Sequence, residues 1–169
     1  LSRPRMFLIV ALVAAGVLVL SHVAPFPGAI DRAAGDRAMW QVPPRADGPH
    51  VYLTFDDGPN PAATPALLDL LDREQITATF FLIDRWVTPE TAPIVRRMFG
   101  DGHGVALHSD TRRLMVKSPE GFAGTLTAAA DRIEQLAGTR PCRAFRPHAG
   151  FRSAMMYAGL ARIDHVLVG

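Results

Sequence analysis

The chain has 169 residues, of which 49% are hydrophobic and 20% charged, with a formal net charge of +2. That length supports one domain with a core of its own, and the single cysteine, Cys142, excludes an intrachain disulfide and any multi-cysteine metal site. Nearly all the positive charge is arginine interleaved with acids, Lys117 being the one lysine, so no basic stripe for nucleic acid is expected.

The first element is an apolar run, Met6 to Leu20, extended by Ser21-His22-Val23-Ala24 and stopped by Pro25. Arg3 and Arg5 precede it without a nearby acid, which places residues 1–5 in the cytoplasm and the rest outside. His22 stands where a signal peptidase wants a small residue, and Pro25 follows Ala24, so residues 6–24 read as an uncleaved transmembrane signal anchor rather than a cleaved signal peptide. The expected location is therefore the cell membrane, single-pass, with the domain outside the cytoplasm. Residues 25–48 contain PFPG and VPPRADGP, a composition that reads as a linker between membrane and domain.

From residue 49 onward, strand-like and helix-like segments alternate. His50–Phe55 is a short β-rich run ending at Asp-Asp-Gly-Pro, and Thr64–Arg73 is a helix with Pro65 in its first turn. Thr77–Ile83 is a β-branched and aromatic strand, Pro89–Phe99 a helix ended by Gly100, and Gly104–Leu107 a brief strand. Pro119–Leu136 is a longer helix, with Ser118 as N-cap and Gly138 near its C-cap. Cys142–Phe145, an Ala154–Arg162 helix and His165–Val168 complete the series, with Cys142 read as a buried, inert thiol beside Ala144-Phe145. Such alternation predicts a parallel sheet with helices outside it, open or closed into a barrel. Its strand ends would gather Asp56-Asp57, His108-Ser109-Asp110 and Arg146-Pro147-His148 on one rim.

Two adjacent carboxylates such as Asp56-Asp57 repel each other, and a cation beside one leaves the other free to act as a general base. The run TFDDGP, with Asn60-Pro61, Thr64 to Leu71 and Ala78-Thr79-Phe80-Phe81, resembles the opening of the NodB-homology polysaccharide deacetylases, carbohydrate esterase family 4. The resemblance runs from Val51 to about Leu114, resumes near Phe145, and implies a distorted (β/α) barrel of that type over residues 49–169. It implies a hydrolase that removes N-acetyl groups from amino sugars of a cell-surface or extracellular polysaccharide. By match to the family motifs, Asp56 is the base, Asp57 and His108 are metal ligands, Arg146 holds Asp56, and the Ala149 backbone N–H helps stabilise an oxyanion. The implied cofactor is a divalent metal, zinc first, with cobalt or nickel as alternatives.

The sequence also departs from that pattern. The family's second histidine falls at Arg112, whose guanidinium cannot donate a lone pair. Three arrangements remain open: Asp110 completes the ligand set, two protein ligands bind weakly, or Arg112 replaces the metal's charge. His103, just upstream of His108, reads as structural. His148 and Ala149 stand where the family has other residues. The family's later leucine-x-histidine motif is not found, and Leu1 stands in place of methionine, so a truncated barrel is expected whose His165–Val168 strand lacks a partner. A catalytically impaired glycan-binding or scaffold protein on the same fold is the alternative function, and an O-acetyl substrate stays open.

Overall fold

The structure, a computed structural model, describes residues 2–23, 27–44, 46 and 48–169. Helix α1 covers Arg3–Val23. Among the described residues no helix is long and apolar enough to cross a membrane, and Ala24, the last residue of the predicted anchor, lies outside them.

The domain is a six-stranded, all-parallel sheet in the order β1-β6-β5-β4-β3-β2. Its strands are β1 (Ala38–Met39), β2 (Thr54–Asp56), β3 (Thr79–Ile83), β4 (Gly104–His108), β5 (Ala144–Arg146) and β6 (Val166–Val168). Helices α3 (Thr64–Arg73), α4 (Ala92–Gly100), α5 (Pro119–Ala137) and α6 (Ala154–Arg162) link successive strands from β2 to β6. The predicted β/α alternation is therefore present, and the sheet stays open between its edge strands β1 and β2.

Local chemistry accounts for the element ends. Pro65 sits in the first turn of α3, where its missing N–H costs nothing. The Ser118 hydroxyl accepts from the Gly121 N–H at 3.1 Å and starts α5, and Gly138 ends it with φ 81°, a conformation that glycine adopts without strain. The central strands β3 and β4 are buried on both faces, as their near-continuous apolar sequences TFFLI and GVALH require. Phe122 of α5 meets Phe145 of β5 edge to face, 5.5 Å between centroids. Gly159 of α6 lets that helix approach, because a Cβ there would stand 2.6 Å from Phe122 and 2.9 Å from the Pro119 carbonyl.

Three expectations are corrected. The stretch 25–48, read as a linker, contributes structure to the domain: helix α2 (Ala29–Ala34), a turn of 3-10 helix over Gly35–Arg37, and β1. Ile30 and Ala34 pack on the core where this segment docks, and a buried ion pair lies beside them. Asp31 is buried, accepts from Arg152 Nε at 2.6 Å and from the Tyr157 hydroxyl at 2.5 Å, and lies with Ile30 and Ala34 against the domain. Burial by itself pushes the Asp31 carboxyl up, but the hydrogen bonds from Arg152, Tyr157 and the Gly28 N–H outweigh it and hold the group below its ordinary range. Secondly, the last strand has a partner on each side, since Ala38 and Met39 pair with Leu167 and Val168 while β5 pairs with its other edge. Thirdly, Cys142 is exposed; the chain enters β5 only at Ala144, and Phe145 is the residue that turns into the core.

Candidate active site

The strand register brings the predicted residues to one rim. Ile83 pairs with His108, His108 pairs with Arg146, and Asp56 pairs with Phe81, so the ends of β2, β4 and β5 lie along one edge of the sheet, with β3 between β2 and β4. Asp56, Asp57, His108, Arg146 and Ala149 all line one cavity of about 400 Å³, with Trp40, His148 and Arg152 also in its wall.

Asp56 and Arg146 form a direct ion pair. Arg146 Nη1 donates to Asp56 Oδ1 at 2.8 Å and to Thr54 Oγ1 at 2.9 Å. The guanidinium also lies over the ring of Phe81, 4.0 Å from its centroid, so it is fixed from both its edge and its face. One oxygen of Asp56 is occupied by this pair and the other remains able to take a proton.

Asp57 and His108 form a second pair. Asp57 adopts φ 70°, a left-handed conformation that aspartate tolerates better than most side chains. Its Oδ1 lies 3.3 Å from His108 Nε2. His108 Nδ1 is 2.8 Å from the Arg146 carbonyl oxygen. A carbonyl only accepts, so Nδ1 donates to it, and Nε2 is the nitrogen that faces the carboxylate. Two lone-pair donors this close favour a shared cation, and the histidine's outer nitrogen is already oriented by a backbone oxygen as metal-binding histidines require. These residues therefore fit a divalent metal.

The third ligand does not follow. Asp110 is engaged by Arg85, with Arg85 Nη1 2.5 Å from its Oδ2. Arg112 lies in a 3-10 turn over Arg112–Val116, with its guanidinium 4.5 Å above the Phe151 ring. The direct ion-pair partners of Asp56 and Asp57 among the described residues are Arg146 and His108, not Arg112. Among the described residues no group of three or more His, Cys, Asp or Glu side chains is placed to hold a metal ion. His103 is buried at the opposite end of β4, where its Nδ1 accepts from the Ala78 N–H at 3.3 Å; burial lowers its pKa and keeps it neutral, as a structural histidine.

The loop after β5 forms the opposite wall. The Ser109 hydroxyl accepts from the His148 N–H at 3.0 Å, so the chain after β4 anchors the chain after β5. Ala149 then turns with φ 49° and ψ 29°, followed by Gly150 with φ 70°. Sequence reasoning missed Trp40 and Arg152 in this wall. Trp40 lay in a stretch read as a linker. Arg152 carried a signal that could have been used, an arginine two residues beyond the Arg146–Gly150 motif.

Comparison with known proteins bears on this arrangement. The family described as Polysaccharide deacetylase matches residues 43–167. The chitooligosaccharide deacetylase of Bradyrhizobium sp. (strain ANU 289) is 51% identical over 61 residues, 36% of this chain and 27% of that protein. The peptidoglycan-N-acetylmuramic acid deacetylase PdaC of Bacillus subtilis is 35% identical over 108 residues, 62% of this chain and 22% of PdaC. A family 4 acetyl xylan esterase from Clostridium thermocellum, solved with a cobalt ion, superposes with a TM-score of 0.61 at 34% identity, covering 70% of this chain and 56% of that one. The matches thus span from 22% to 56% of these proteins' own lengths.

Proposed function

Because this chain belongs to the polysaccharide deacetylase family, we propose that it hydrolyses N-acetyl groups from amino sugars of a cell-surface or extracellular glycan. The observation that carries this reading is the pairing of two differently held carboxylates on one cavity: Asp56 fixed by Arg146, and Asp57 beside Nε2 of His108. Asp57 and His108 would hold a divalent cation, with zinc, cobalt and nickel as the candidates. When bound, such an ion polarises the acyl oxygen and makes water more acidic. Asp56 takes the proton of the attacking water through the oxygen that Arg146 leaves open. Arg146, a fixed cation, keeps that carboxylate oriented. The Ala149 N–H donates to the oxygen that becomes negative as the amide carbon turns tetrahedral.

A second reading, a glycan-binding relative without catalysis, is favoured by Asp110 and Arg112 being committed to Arg85 and Phe151. The test is release of acetate from N-acetylglucosamine oligomers by the full chain. Release that a chelator stops and added zinc or cobalt restores is the expected result. Oligomer binding with no acetate released would instead favour the second reading.

The location is proposed on the sequence of the N-terminal segment, where Arg3 and Arg5 precede the apolar run. A reporter fused at Pro49 is expected outside the cytoplasmic membrane yet in the membrane fraction. Activity of a reporter that works only in the cytoplasm would overturn this.

A further inference from the structure

We propose that Arg152 is a positioning residue for the His148–Gly150 turn, held in place by Asp31 from the segment that precedes β1. The proposal rests on the deacetylase reading only in giving the Ala149 N–H a task. Arg152 is 0% exposed, and two of its donors reach different elements. Nε donates to Asp31 Oδ1 at 2.6 Å and Nη1 to the Gly150 carbonyl at 2.9 Å. The face of the guanidinium packs on the Trp40 ring, 4.7 Å from its centroid. Asp31 is fixed in turn by the Tyr157 hydroxyl and by the Gly28 N–H, each at 2.5 Å.

An apolar contact would dock α2 on α6 at less cost, because burying two charges is expensive even when they pair. What the charged pair adds is direction: a planar donor group with one edge on Asp31 and another on the active-site turn. That turn needs restraint. Ala149 and Gly150 both have positive φ, and for alanine this conformation is unfavourable. Ser109 holds the turn at the His148 N–H, Arg152 holds it at the Gly150 carbonyl, and the Ala149 N–H lies between the two anchors.

Arg152→Lys in the 169-residue chain tests this. Lysine keeps a positive charge beside Asp31 but has no planar fork to serve Asp31 and Gly150 together. Turnover on the N-acetylglucosamine oligomer is expected to fall about 10- to 100-fold, the cost of misplacing a catalytic donor, with KM changed by about twofold or less. Amide hydrogen exchange should quicken at residues 149–151 while α5 keeps its protection. Tyr157→Phe, which removes a bond to Asp31 but leaves Arg152, should keep turnover near wild type even where it lowers Tm. Unchanged exchange at 149–151 in Arg152→Lys overturns the proposal, as does an equal loss of turnover in Tyr157→Phe. Should Arg152→Lys fail to fold, Asp31→Glu, which keeps the charge and shifts its position by one methylene, is read in the same two ways. If the wild type releases no acetate, the deacetylase reading fails, and the exchange comparison still decides the role of Arg152.

Discussion

Asp56→Asn is expected to lower acetate release by about 10²- to 10⁴-fold, the range that a positioned general base contributes. Asparagine keeps an oxygen that can accept from Arg146 Nη1, now at 2.8 Å from Asp56, so the loop and the fold should survive. What it loses is basicity at the second oxygen. The loss should therefore fall on kcat, with KM nearly unchanged, because the base acts in the transition state and not in binding. Metal affinity is the internal control, since Asp57 and His108 are untouched. Near-normal turnover in Asp56→Asn, with the variant folded, would remove Asp56 from the mechanism.

Arg112→His has the largest expected effect in the other direction. On the proposed reading Asp57 and His108 are the two side chains that would hold the ion, and Asp110 is paired with Arg85. A neutral histidine at position 112, four residues beyond His108, supplies a third lone pair. Outer partners of a metal site already change affinity by about 10- to 100-fold, and a direct ligand should bring at least that gain for zinc. Calorimetric titration of both proteins measures it. Arg112→Ala separates the two causes, because the wild-type guanidinium lies on Phe151 and its removal alone should add little. Equal affinity in wild type and Arg112→His would place residue 112 outside the reach of the ion. A gain in Arg112→Ala matching that in Arg112→His would mean that charge repulsion, not ligand number, limits binding.

The rim was legible in the sequence because each of its residues ends a strand with a clear pattern. GVALH and AFRP carry buried residues into a polar stop, TFDD carries the half-buried Phe55 into one, and parallel pairing does the rest. Helices α3 and α6 were readable to the residue, since an apolar face and sharp ends mark both. The segment before the domain was not. β1 has two residues, too few for any period to show, and its pairing with β6 is set by partners at the far end of the chain. Asp31 looked like one of several scattered acids, and only the fold brings it to Arg152 and Tyr157. The fates of Asp110 and Arg112 were equally hidden. Arg85 and Phe151 are brought to them by other loops of the rim, which spacing along the chain does not reveal.

The pairing of β1 with β6 also governs the order in which the sheet can be completed. A ribosome delivers Ala38 and Met39 early and Val166 to Val168 late, so the first strand waits as an unpaired ribbon while β2 to β5 assemble beside their sequence neighbours. Bringing the two together closes a loop over residues 40–166, an entropic cost that strands joined by a single helix avoid. The outer margin of the active-site cavity, where Trp40 and Leu167 stand, therefore rests on the strand pairing that joins the residues most distant in sequence.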